Sequence, residues 1–105
     1  MPRTVVLNIE ANGLTPDTIW CATTIDVDTG EEHEFRYPTR PESGFIDYLR
    51  TVGVAIGHNI CGYDYPVLSR LARIREVGVE FDVVDTLVVS RLLDFNRAGG
   101  HSLAA

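Results

Sequence analysis

Lysine is absent from this 105-residue sequence, and its nine basic residues, all arginine, are outnumbered by fifteen acidic ones for a net charge of −6. A nucleic-acid partner therefore cannot be inferred from bulk electrostatics, which would favour a basic face. Acidity does not exclude a nucleic-acid partner held through metal ions, because such sites need carboxylates whose charge the bound cation offsets. Cysteine is scarce as well: Cys21 and Cys61 lie far apart, outside any metal-ligand spacing, and read as two reduced, buried thiols. No apolar run approaches the roughly 20 residues that span a bilayer, and no basic segment followed by an apolar stretch opens the chain. A soluble, cytoplasmic protein without a membrane partner is the expectation. Low-complexity tracts and internal repeats are missing too. What remains, 45% hydrophobic and 23% charged residues, is the make-up of an ordinary globular fold. The length suits one small domain over residues 1–105.

Residues 4–10 (Thr4 to Glu10) read as a buried strand that ends on a polar pair, Asn8 and Glu10. Asn12-Gly13 and Thr15-Pro16-Asp17 then mark a turn. Residues 19–27 are rich in β-branched and aromatic side chains, Asp28-Thr29-Gly30 is a turn, and residues 33–37 alternate as a third strand. After Pro41, the positions of Phe45, Ile46 and Leu49 predict a helix over 42–51. A short apolar run over 52–57 predicts a strand, with His58 and Asn59 just past its carboxyl end. Val67, Leu68, Leu71, Ala72 and Ile74 give an amphipathic helix over 63–76, with Asp64 and Pro66 in its first turn. A strand over 79–85 and a helix over 86–93 follow. Residues 96–105 read as a loop leading to the start of another helix, with Ser102 as its cap. This order predicts a mixed α/β sheet, antiparallel through its first three strands and then parallel through crossover helices.

Residues i and i+2 of a strand project to one face, so Asn8 and Glu10 reach the same site. Paired carboxylates in such a place serve two-metal phosphodiester hydrolysis, where a bridging carboxylate touches two ions about 3.5 to 4 Å apart. Asparagine keeps the shape, loses the charge, and turns an NH₂ donor toward the cation. Taken alone, Asn8 reads equally as a strand-end residue bonded to backbone, and Glu10 and Asp64 as solvated carboxylates. Leu14 reads as a loop or core residue, and His33, His58 and His101 as hydrogen-bonding side chains without a metal role. Asp85 reads as a helix cap. Tyr63 and Tyr65 read as packing residues or as contacts to a base or phosphate, and Arg70, Arg73 and Arg75 as a solvated helix face.

Four segments in order, Asn8-Ile9-Glu10-Ala11-Asn12-Gly13-Leu14, Ile19-Trp20-Cys21, His58 through Leu68, and Asp85 through Leu92, resemble the 3′-to-5′ proofreading exonuclease domain of family A DNA polymerases, in particular those of T-seven-type phages. The similarity runs along nearly the whole chain. It implies a ribonuclease-H-like fold and removal of the 3′-terminal nucleotide of single-stranded DNA with two Mg²⁺ ions. On that resemblance Asn8 stands at the metal-bridging aspartate, Glu10 at its partner glutamate and Asp64 at the second-motif aspartate. Leu14 stands where an apolar residue packs on the terminal base, and Asn59 and Tyr63 flank the strand end. Two departures follow: position 8 is an amide, and the third motif, a tyrosine followed by the last aspartate, is absent. Glu10 and Asp64 are the metal ligands that remain. The expectation is therefore an exonuclease-type domain, truncated before its last helices and inactive as this chain. The alternative is a non-catalytic module that binds a single-stranded 3′ end or a polymerase. A second chain supplying the missing helix, or a homodimer formed through the face that helix would cover, are the partners this implies.

Overall fold

The computed structural model describes residues 2–93. The tail over 96–105, with Ser102 and His101, lies outside the described residues. Five strands form one mixed sheet: β1 (Arg3–Ala11), β2 (Ile19–Asp26), β3 (Glu32–Arg36), β4 (Val52–Gly57) and β5 (Asp82–Asp85), in the order β3-β2-β1-β4-β5. The first three pair antiparallel, and β4 and β5 add parallel on the other side of β1. The sequence reading of the sheet matches this arrangement. Helices α1 (Phe45–Leu49), α2 (Tyr65–Leu71) and α3 (Thr86–Leu93) link or follow the strands.

The β2–β3 connection shows how local chemistry sets the hairpin. Asp26 Oδ1 accepts the amide N–H of Asp28 at 2.9 Å and of Thr29 at 3.2 Å, and Gly30 takes the left-handed φ of 75° that closes the turn. Burial would raise the Asp26 carboxyl, but those amides and the Arg3 guanidinium outweigh it and hold the group below the usual range.

Alternation places Val5, Leu7 and Ile9 of β1 in the core with Ala22 of β2 and Ala55 of β4. Ile19 of β2, Val52 of β4, Phe45 and Leu49 of α1, Val67 and Leu68 of α2, and Ile60, Ile74 and Val79 from the connections join them. The opposite face is open. Register aligns Ile25, Val6, Ile56 and Val84 in one apolar row across four strands, of which Ile25, Val6 and Val84 are exposed.

Two helices are shorter than their periodicity predicts. Over 42–51 a 3₁₀ turn, Pro41–Ser43, is separated from α1 by Gly44 at φ 77°, a left-handed break that a continuous helix does not contain. Over 63–76 the chain enters through a π-helical turn, Ile60–Asp64, and α2 stops at Leu71. Arg73 then adopts φ 54° and pairs with Glu76, so Ile74 and Val79 are buried from a turn and not from a helix face. Arg73 and Arg75 accordingly lie past the helix on which the sequence placed them. The last strand begins at Asp82, three residues after the predicted start, whereas β4 and α3 span the predicted residues. Both thiols are unpaired, but contrary to the expectation of burial Cys21 is only half-buried and Cys61, in the π-helical turn beyond β4, is exposed. No described helix is long and apolar enough to cross a membrane.

Candidate functional site

The sheet's polarity changes at β1, which runs antiparallel to β2 and parallel to β4, and the crevice beyond the carboxyl ends of such strands is where open α/β sheets bind ligands. β4 ends at Gly57 while β1 continues to Ala11, so the β1 backbone beyond Val6 has no strand beside it there. A Cβ at Gly57 would lie 3.0 Å from the Leu7 carbonyl oxygen and 3.0 Å from the Ile60 Cβ, so only glycine lets the chain turn this close to β1. Asn59, at φ 60°, makes the turn, and the π-helical turn brings Asp64 against β1.

Asp64 Oδ2 accepts the Ile9 amide N–H at 3.1 Å. Its contact is thus with the residue between Asn8 and Glu10. Asn8 and Glu10 share the exposed face of β1, opposite Thr23 and Cys21, whereas Asp64 is only 6% exposed. Burial pushes the Asp64 carboxyl up to about 6, with the Asp85 charge adding to the rise and the Ile9 hydrogen bond opposing it.

The loop after β1 is braced from three directions. Within it, Asn12 Oδ1 accepts the amides of Asp17 and Thr18, each at 3.1 Å, and its Nδ2 donates to Asp17 Oδ1 at 2.6 Å. Hydrogen bonds from Asn12 and then Thr18 hold the Asp17 carboxyl below its ordinary range. From the π-helical turn, the Tyr63 hydroxyl donates to the Gly13 carbonyl at 2.6 Å; from α2, the Arg70 guanidinium donates to the Pro16 carbonyl. Arg70 is exposed, as a solvated helix face predicts, and also braces this loop. Between these ties Leu14 stands 93% exposed. An isolated leucine in that position contributes nothing to the core.

The turn carrying Asn59 is fixed from below by Asp85. Its carboxylate accepts the amides of Asn59 at 2.9 Å, Cys61 at 3.0 Å and Leu87 at 2.9 Å, tying the end of β4 to the start of α3. Burial works to raise the Asp85 carboxyl, and the amides of Cys61, Asn59, Leu87 and Val88 reverse the sign and lower it. Asp85 caps α3 as the sequence indicated and also anchors the site turn. His58 Nδ1 lies 3.0 Å from Thr86 Oγ1, a strand-end hydrogen bond, and Tyr65 packs edge-on against Phe81 with centroids 5.8 Å apart.

Of the six sequence-derived candidates, Asn8 and Glu10 share the exposed face of β1, Asp64 is buried and tied to the Ile9 amide between them, Tyr63 reaches the loop that carries Leu14, and Asn59 lies in the turn beyond β4. Sequence reasoning missed Asn12 and Arg70 as loop braces. The Asn12-to-Asp17 spacing is an available signal for the first, since asparagine side chains stabilise turns by bonding backbone amides just ahead of them. Nothing in the sequence marks the Arg70 contact. Among the described residues no group of three or more His, Cys, Asp or Glu side chains gathers to hold a metal ion. Compared with models of known protein families and with curated proteins, the chain matches none.

Proposed function

We propose that this chain is an exonuclease-type domain of ribonuclease-H-like fold, whose site at Asn8, Glu10 and Asp64 receives the 3′ end of a single-stranded DNA without hydrolysing it. The observation that carries this reading is the Asp64–Ile9 hydrogen bond, which sets the second acidic motif against the strand between the two residues of the first. Support comes also from the three antiparallel strands followed by two parallel ones, and from a bare Leu14 held out beside the site by Tyr63, as a wedge against a terminal base requires.

The donor set does not fit two Mg²⁺ ions. Glu10 and Asp64 are two carboxylates, one solvated and one buried; position 8 contributes a neutral amide; and no third acidic side chain joins them among the described residues. Two hard cations sharing such a set lack the bridging oxygens they need. The reading therefore calls for a single divalent ion, weakly held by Glu10 and Asp64 with the side-chain carbonyl oxygen of Asn8. Its role is to bridge a terminal phosphate to an otherwise repulsive acidic site. Removing the charge that stabilises a transition state costs orders of magnitude in rate, so no nucleotide release is expected.

Binding of a 3′-hydroxyl oligodeoxynucleotide, followed by fluorescence anisotropy with Mg²⁺ and with EDTA, tests the reading. Tighter binding in Mg²⁺ that Glu10→Ala abolishes, with the oligonucleotide intact after prolonged incubation, is the expected result. Binding indifferent to both Mg²⁺ and Glu10→Ala would instead favour a nucleic-acid module whose contacts lie elsewhere.

A further inference from the structure

Trp20, the chain's one tryptophan, is 52% exposed, and Tyr37 beside it is 43% exposed. The two are joined through the backbone: the Tyr37 amide donates to the Trp20 carbonyl at 2.9 Å, one step beyond the last β2–β3 pair, Cys21 with Arg36. Tyr37 has φ 47°, a left-handed and strained conformation that a bulky side chain rarely adopts. Such strain persists only where the surroundings over-determine it. The Arg40 amide donates to the Tyr37 carbonyl at 2.9 Å, Pro38 is buried, and the Ser43 hydroxyl donates to the Pro38 carbonyl at 3.1 Å. Arg40 then folds back so that its guanidinium carbon lies 4.4 Å from the Tyr37 ring centroid. The result is a rigid corner that presents a tryptophan, a tyrosine and a stacked arginine to solvent, with Arg36 exposed beside them.

Core packing accounts for none of this. A structural Tyr or Trp buries its ring, and a left-handed position is most often filled by glycine or asparagine. Exposed aromatic faces with a guanidinium in place form a platform for flat, electron-rich rings that carry an anion. Nucleobases on a phosphodiester backbone are that ligand, and stacking on aromatic residues with arginine support is how single strands are held without regard to sequence. The corner also adjoins the candidate site: Cys21, next to Trp20, pairs with Glu10, and Ile19 pairs with Ala11. Arg36 is ion-paired with Glu34 at 3.4 Å, so Arg40, stacked on Tyr37, is the positive charge this end of the sheet offers in a molecule of net charge −6.

We infer that Trp20 and the Tyr37–Arg40 stack form a second subsite, which stacks bases of a single-stranded nucleic acid lying upstream of the nucleotide at Asn8, Glu10 and Asp64. The direction of the strand rests on the function proposed above; the stacking itself does not. With one or two arginines meeting phosphates, binding weakens with salt only gently, with a log–log slope of roughly −0.7 to −1.4.

Because Trp20 is the sole tryptophan, its fluorescence reports this corner alone. Titrating the whole chain with oligothymidylate in EDTA at low salt is expected to quench it. Arg40→Ala and Tyr37→Gly are each expected to weaken binding about tenfold. Tyr37→Gly separates the subsite from a merely structural role, since relief of the left-handed strain should raise the thermal midpoint while binding falls. A circular oligothymidylate, which has no 3′ end, should quench equally well, and that result upholds the subsite even if end binding at Glu10 fails. Absence of quenching by either ligand, or quenching that survives both Arg40→Ala and Tyr37→Gly, overturns the inference whatever happens at Glu10.

Discussion

Asp64 is the residue whose behaviour the site geometry constrains most. Its folded carboxyl titrates near 6 against 3.8 for the free side chain, so between those values the folded protein binds more protons than the unfolded chain. Stability must then rise as pH falls from 6 toward 3.8, and above 6 the buried charge is a standing cost. Asp64→Asn keeps an oxygen for the Ile9 amide and removes that charge. Urea denaturation should show the variant more stable by roughly 1 to 2 kcal/mol at pH 7.5, a discounted conversion of the shift, with the gain fading as pH falls from 6 and nearly gone by pH 4. An unchanged urea midpoint at pH 7.5 would mean that the carboxylate is not paying for its burial. The alternation that sends Asn8 and Glu10 to one face was legible in the sequence, because a strand has a fixed period of two. The approach of Asp64 was not. It depends on where β4 ends relative to β1 and on a close contact at Gly57, and neither follows from the 54 positions separating residues 10 and 64.

At the scale of elements, strands read more truly than helices. The apolar run over 52–57 and the helix over 86–93 appear with the predicted bounds, each set off by a local signal. For β4 that signal is the turn chemistry of His58 and Asn59, and for α3 it is the Asp85 cap. The helices over 42–51 and 63–76 shrank because apolar periodicity records which residues are buried, not the backbone that buries them. Gly44 and Arg73 supply left-handed breaks in otherwise helical patterns. The loop between β1 and β2 carries a consequence of its own. Tyr63→Phe removes the hydroxyl bond to Gly13 while leaving the ring in place, so the loop over 12–18 should be cut faster by a non-specific protease with little change in thermal midpoint. Cleavage at the wild-type rate would show that Asn12 and Arg70 brace the loop without Tyr63.

For the whole molecule, the unequal faces of the sheet matter most. One face is packed by α1, α2 and the turns between elements, whereas the other aligns Ile25, Val6, Ile56 and Val84 in a row with Val54 beside it. Parallel strands such as β4 are ordinarily covered on both faces, and an uncovered apolar row favours association. Sedimentation velocity should therefore show a weight-average mass that rises with concentration, more steeply in high salt where the net charge of −6 is screened, and Val6→Glu should suppress it. A monomer at all concentrations would show the row too small to drive contact. The five-stranded mixed sheet was legible in the sequence from the order of its elements. The open face was not, because alternation shows that a strand has two faces and says nothing of what covers each.

The proposed function depends on Asn8, Glu10 and Asp64 forming one site in which the amide at position 8 stands where a carboxylate would complete a cation's ligands. Calorimetric titration of Mn²⁺ into the wild-type chain and into Asn8→Asp measures that directly. One added carboxylate within reach of the same ion should tighten binding at least tenfold, and Glu10→Ala in the Asn8→Asp background should reverse the gain. Equal affinities for the two chains, or a gain that survives Glu10→Ala, would show that these side chains do not share an ion, and the account of the site would fail with them.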